Sequence, residues 1–114
     1  MNLQTIIDQL GLKVLTEPLD FASINPSSGY VSDLLSCVMA GAKKDGLWVT
    51  LQCHDNIVAV AALLDVSAVI ITEDAQPDPA TVARANTRGI TLLSTPQPSF
   101  TVVGQLWGMG LRSE

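Results

Sequence analysis

The side chains best suited to chemistry lie together in one short segment of this sequence. They are Gln52, Cys53, His54, Asp55 and Asn56. The segment follows a run with strand character and precedes a run with helix character, which places it at the carboxyl end of a strand, where open α/β sheets bind ligands. Backbone N–H groups at the start of the following helix favour an anion or a phosphate, and the hydroxyl of Thr50 is near enough to orient it. We therefore expect a small anionic metabolite or nucleotide to bind at residues 52–56.

Cys53 and His54 also suggest an alternative from a different class, a small enzyme with a cysteine nucleophile and a histidine base. Adjacent residues at a strand end tend to point in opposite directions, which argues against such a pair. A metal site needs more ligands than Cys53, His54 and Asp55 at consecutive positions can supply. We expect no catalytic residue, no metal and no cofactor, with His54 hydrogen-bonded in the loop and Cys53 half-buried.

Tyr30, the only tyrosine, precedes a predicted helix start and is a second candidate for ligand contact. Ser32 is a suitable N-cap, and Asp33 would fall in the first turn, where negative charge stabilises a helix. In the alternative interpretation Tyr30 packs as an ordinary aromatic with its hydroxyl at the surface. The apolar stripe predicted for this helix consists of Leu34, Leu35, Val38 and Met39, and the predicted last turn contains Lys43 and Lys44.

Hydrophobic periodicity and turn signals predict the elements that position these residues. Residues 47–51, 55–64 and 68–72 are typical of a strand, a helix and a second strand, which together form a right-handed parallel crossover. The other predicted helices span residues 2–10, 79–88 and 99–111, the other strands span 12–16 and 90–94, and a loop at 19–28 contains a brief extended piece at 21–24. The helix at 79–88 is expected to face solvent, with Asp78 as its N-cap and Gly89 at its end. The pattern predicts an α/β fold.

Composition limits the possible functions. A chain of 114 residues is expected to form a single domain, residues 1–114. Its net charge of −5 provides no basic patch, so we expect no nucleic-acid partner. The longest apolar run, residues 57–64, is too short to cross a membrane, and the N-terminus lacks the layout of a signal peptide. We expect a cytoplasmic protein without a membrane partner, in which Cys37 and Cys53 are free thiols.

Two predicted helices lack a continuous polar face, which points to self-association. They are residues 55–64, expected to be buried on all sides, and residues 99–111. A domain of this size has a limited interior, so apolar surface from both helices is expected at or near the contact of a homodimer. Gly104 and Gly108 share one face of the last helix and would allow close approach of a second element.

Three stretches taken together resemble a DRTGG domain. They are the run GYVSDLLS at residues 29–36, the run WVTLQ at 48–52 with His54 and residues 56–61, and the run LLST at 92–95 before the final helix. The sequence is similar to the short stand-alone bacterial members, which resemble the N-terminal domain of HPr kinase/phosphorylase. This resemblance implies a three-layer α/β/α fold with a mostly parallel sheet of about four to five strands, and a regulatory or dimer-forming role without catalytic residues.

The sequence departs from the motif that names the family. The family's Asp-Arg aligns with Cys53-His54-Asp55-Asn56, and its Thr-Gly-Gly with Thr72-Glu73-Asp74. Two carboxylates in place of two glycines make an anion at this second loop unfavourable, so the first loop remains the expected site. There is no P-loop, and kinase activity is not implied. We expect a non-catalytic regulatory or ligand-sensing module that self-associates.

Overall fold

A five-stranded sheet runs through the middle of the computed structural model, which describes residues 1–114. The strands are β1 (Lys13–Val14), β2 (Gly29–Val31), β3 (Leu47–Thr50), β4 (Ala68–Ile71) and β5 (Leu92–Ser94). Their spatial order is β1-β5-β4-β3-β2. Only β1 is antiparallel to its neighbour, and the other pairs are parallel. The predicted α/β fold with a mostly parallel sheet is therefore confirmed.

Helices cover both faces of the sheet. They are α1 (Leu3–Leu10), α2 (Leu35–Gly41), α3 (Asn56–Leu64), α4 (Pro79–Arg88) and α5 (Ser99–Gly108). The buried residues of α1 and α5 belong to one core, and those of α2, α3 and α4 belong to the other. The extended piece predicted at residues 21–24 is wrong, because Phe21–Ser23 forms a short 3-10 turn. None of the helices is long and apolar enough to cross a membrane.

Alternating side chains of the central strand connect the sheet to the two cores. In β3, Leu47 and Val49 pack toward α1 and α5, whereas Trp48 packs toward α2, α3 and α4. All three side chains are buried, as expected for a parallel strand covered on both sides. The sheet is therefore the middle of three layers.

Local capping signals explain why α1 and α4 form where the sequence predicts them. The side chain of Asn2 accepts a hydrogen bond from the Thr5 backbone N–H, and that of Asp78 accepts one from the Thr81 backbone N–H at 2.8 Å. Gly89 ends α4 with a φ of 70°, a left-handed conformation that glycine adopts without a Cβ penalty. The predicted caps of α4 are confirmed.

The segment before α2 differs from its prediction. Ser32 is not the N-cap, because α2 begins at Leu35 and the Ser32 hydroxyl accepts only the Leu34 N–H, two residues along the chain. Of the predicted apolar stripe only Val38 is buried, and Lys43 and Lys44 follow the helix instead of ending it. The preceding residues pair with β3 and form β2, which the sequence did not predict. Strand pairing over a long sequence distance overrides the local helix signal here.

Candidate functional site

Residues 51–55 form a polar loop that joins β3 to α3 at the carboxyl edge of the sheet, where the sequence predicts a loop at residues 52–56. Asp33, which follows β2, holds the start of this loop. One oxygen of its carboxylate accepts hydrogen bonds from the Thr50 hydroxyl and from the Leu51 N–H, both at 2.8 Å. The side-chain amide of Gln52 donates to the Asp33 carbonyl at 3.1 Å, and the Gln52 N–H donates to the Thr50 hydroxyl. Thr50 and Gln52 therefore fasten the loop to β2.

The middle of the loop has free backbone donors. The N–H groups of Cys53, His54 and Asp55 donate to no group of the chain. The next N–H, that of Asn56, donates to His54 Nδ1 at 3.2 Å, and the N–H of Ile57 donates to the His54 carbonyl. These residues precede α3, whose own first N–H groups, at residues 56–58, are bonded within the loop. Successive unbonded backbone N–H groups are donors that an anion can use. The available donors of this loop are thus on the backbone.

His54 Nδ1 has two neighbours that require different protonation states. It accepts from the Asn56 N–H, which requires a lone pair on Nδ1, and it lies 3.1 Å from Asp55 Oδ1, to which it donates only when it carries a proton. The imidazole is exposed to solvent.

Arg84 on α4 completes the charge pattern of the loop. Its Nη2 lies 3.4 Å from Asp55 Oδ2, so Arg84 and His54 approach opposite oxygens of one carboxylate. At the start of α4, the pKa of Asp78 lies below its ordinary value chiefly because the Thr81 backbone N–H donates to its carboxylate, with a further contribution from the Thr81 side chain. Sequence analysis missed Arg84. No sequence signal identifies it, because the pattern of α4 does not show which neighbouring element its exposed side meets.

Cys53 and Tyr30 contribute to packing. Cys53 is half-buried against the core shared by α2, α3 and α4, and no hydrogen bond joins it to His54. Tyr30 lies on β2 and packs against the same core, where a Cβ on Gly41 would overlap its ring. Gly41 is the last residue of α2, so the Tyr30 ring lies apart from the loop. The structure brings Thr50 and residues 52–56 together and leaves Tyr30 outside this group.

The second polar loop at this edge, residues 72–74, is closed by its own carboxylate. Glu73 Oε2 accepts a hydrogen bond from the Ser99 N–H at 2.7 Å and so caps the start of α5, while the Thr72 hydroxyl bonds to that of Ser99. Glu73 and Asp74 both have a positive φ, near 60°. Their two negative charges oppose an external anion. No three His, Cys, Asp or Glu side chains of the chain converge as metal ligands.

The fold and this edge define a three-layer α/β domain with a polar loop at the carboxyl end of a parallel sheet. The family model of the DRTGG domain matches residues 34–108. The chain belongs to the DRTGG domain family. Glu73 and Asp74 have the left-handed backbone that glycine adopts at little cost.

One similar solved structure is the crystal structure of the CBS and DRTGG domains of the regulatory region of Clostridium perfringens pyrophosphatase, complexed with its activator, diadenosine tetraphosphate. The two chains are 22% identical, with a TM-score of 0.72, and the match covers 90% of this chain and 44% of that one. This chain thus spans less than half the length of its structural relative. No curated protein matches the sequence.

Proposed function

We propose that this chain is a non-catalytic regulatory module that binds a small anionic metabolite or nucleotide at the start of α3. The observation that carries the proposal is the proximity of three unbonded backbone N–H groups, at residues 53–55, to the guanidinium of Arg84, which lies 3.4 Å from Asp55. A phosphate at this position would replace the Asp55 carboxylate as the partner of Arg84, and it would gain the positive end of the α3 dipole.

The comparisons support a regulatory role. The chain belongs to a family one of whose domains occurs in the regulatory region of a pyrophosphatase, and that region is complexed with a dinucleoside tetraphosphate activator. The surroundings of Cys53 and His54 also favour this role over the small enzyme. Cys53 packs against the core, and His54 Nδ1 is engaged by the loop itself, so neither is arranged as the activated pair that nucleophilic catalysis needs.

Self-association is the second part of the proposal. The sequence pointed to both α3 and α5, but these helices lie in opposite layers, and a single twofold contact uses one patch of surface. We place the contact on the α5 patch, formed by Val31, Phe100, Val103, Gly104 and Trp107. Phe100 is 91% exposed and Trp107 is 58% exposed, which is unusual for large apolar residues.

The two free cysteines suit the reducing cytoplasm, which we propose as the location of this protein.

A thermal-shift screen against nucleotides and phosphorylated metabolites tests the binding proposal, because a ligand that binds only the native state raises its Tm. The screen includes Arg84→Ala and, as a matched control on the same helix, Arg88→Ala. A ligand of the loop should raise the Tm of the wild type and of the control, with a much smaller rise for Arg84→Ala. An equal rise in all three proteins, or no rise with any compound, would contradict the proposal.

A further inference from the structure

A cleft separate from the polar loop lies between the edge strand β2 and α5. It has a volume of about 280 Å³. Its lining is mostly apolar and includes Val31, Val49, Val103, Leu106, Trp107 and Leu111. Pockets for drug-sized molecules have volumes of roughly 300–1,000 Å³, so a cleft of this size suits a single ring or a short chain.

Arg112 stands at the rim of this cleft in a fixed orientation. Its guanidinium lies over the Trp107 ring, 3.8 Å from the ring centroid, and its Nη1 donates to the carbonyls of Trp107 and Leu111, both at 2.9 Å. None of the three ion pairs of the chain involves Arg112. Arg112 is therefore a cation that the chain positions but does not pair with a carboxylate, although the net charge of the chain is −5.

The free atoms of Arg112 indicate the chemistry of its partner. Because Nη1 is bonded to carbonyls, Nε and Nη2 remain, and neither donates within the chain. These two nitrogens form one edge of the guanidinium and present two parallel N–H groups, which match the two oxygens of a carboxylate. We propose that the cleft binds a small carboxylate with an apolar body, whose charged end pairs with Arg112 and whose body lies against Val103 and Trp107. Both residues also belong to the α5 patch, so this ligand and a second copy of the chain compete for the same surface.

An added peptide strand is the other occupant to consider at an open sheet edge. The chain itself already uses part of this edge, because the Gly29 N–H donates to the Arg112 carbonyl at 2.8 Å. Of the three residues of β2, only Val31 then keeps its outward backbone groups free for pairing. A strand would gain few hydrogen bonds here, whereas a small carboxylate would use both the cleft and the arginine.

The test is an NMR titration of the full chain at constant protein concentration with three probes. 3-Phenylpropionate has both parts of the proposed ligand, 3-phenylpropan-1-ol has the body without the charge, and acetate has the charge without the body. The signals followed are the Trp107 indole N–H and the Gly29 amide. We expect 3-phenylpropionate to shift both signals and to bind about tenfold or more tightly than the alcohol, since a paired carboxylate strengthens its hydrogen bonds. Acetate should shift neither.

Arg112→Gln should remove the preference for the acid over the alcohol, and Arg88→Gln, an exposed arginine in another layer, should leave it unchanged. The comparison of probes on the wild type needs no variant, so it remains decisive if Arg112→Gln folds poorly. Equal affinity for the acid and the alcohol would overturn the proposal, because it would show that the cleft binds apolar groups without using Arg112. Shifts confined to residues 53–56, or no shift with any probe, would also overturn it.

Discussion

The hydroxyl of Thr50 donates a hydrogen bond to the carboxylate of Asp33 at 2.8 Å and so joins the ends of two parallel strands. Thr50 is fully buried, and the same carboxylate oxygen also accepts the Leu51 N–H. The Asp33 carboxylate therefore binds the end of β3 through these two hydrogen bonds. It fixes the position at which the loop to α3 begins.

Thr50→Val tests this anchor, because it removes the hydroxyl and preserves the shape of the side chain. We expect a loss of about 1.5–3 kcal/mol in the free energy of unfolding, the range for hydrogen bonds to charged groups, measured by urea denaturation. Thr101→Val, at an exposed position of α5, is the control and should change little. A Thr50→Val protein as stable as the wild type would show that Asp33 contributes nothing through this bond.

Substitutions on α3 test the burial of one of its faces. Ala61 is completely buried, whereas Ala59 on the same helix is exposed. Ala61→Asp should destabilise the protein by on the order of 3–5 kcal/mol or prevent folding, because it places an unpaired charge in the core. Ala59→Asp should melt close to the wild type. Equal melting of the two variants would mean that the buried face of α3 is assigned incorrectly.

The pKa of Asp78 gives a prediction about pH. It is lowered mainly by the hydrogen bond from the Thr81 N–H, so its ionised form stabilises the folded state. This contribution is complete above the ordinary pKa of Asp, about 3.9, and is lost as the pH falls through the lower folded value. Asp78→Asn keeps a capping oxygen and removes the charge. Its Tm should be lower than that of the wild type at neutral pH, and the two should converge as the pH falls through the lowered folded pKa of Asp78; a constant difference would contradict the assignment.

The dimer contact is tested by mass. Light scattering coupled to size exclusion should give a dimer for the wild type at tens of micromolar, and a monomer for the double variant Trp107→Glu with Gly104→Leu. A Cβ at Gly104 meets no other atom of the chain, so this substitution should disturb only a partner. Leu63→Glu, in the opposite layer and 68% exposed, is the control and should remain a dimer. A monomeric wild type would refute self-association, and a dimeric double variant would refute the placement on α5.

The parts of the fold that local signals determine could be predicted from the sequence. The crossover of β3, α3 and β4 and the caps of α4 at Asp78 and Gly89 depend on periodicity and on single residues. The complete burial predicted for α3 is wrong at Leu63, because α2 and α4 do not cover that side of the helix. The sequence of a helix shows that it is apolar, but it does not show which of its sides the neighbouring helices cover.

The site was less predictable because its contacts join distant parts of the chain. β2 has only three residues and forms because β3 offers an edge, so Asp33 was assigned to a helix instead of to a strand end. Arg84 reaches Asp55 from another helix, and nothing in the periodicity of α4 indicates which neighbour its exposed side meets. The loop at residues 52–56 was predictable because strand-to-helix connections occupy the same edge in all parallel sheets.

The location of a bound anion tests the central claim most directly. An NMR titration with tripolyphosphate reports on the backbone amides of both polar loops at once. We predict saturable shifts at residues 53–57, with little change at Glu73 and Asp74, and at least about tenfold weaker binding by Arg84→Ala than by Arg88→Ala. Shifts centred on Glu73 and Asp74, or binding that is the same in the two variants, would contradict a regulatory site at the start of α3.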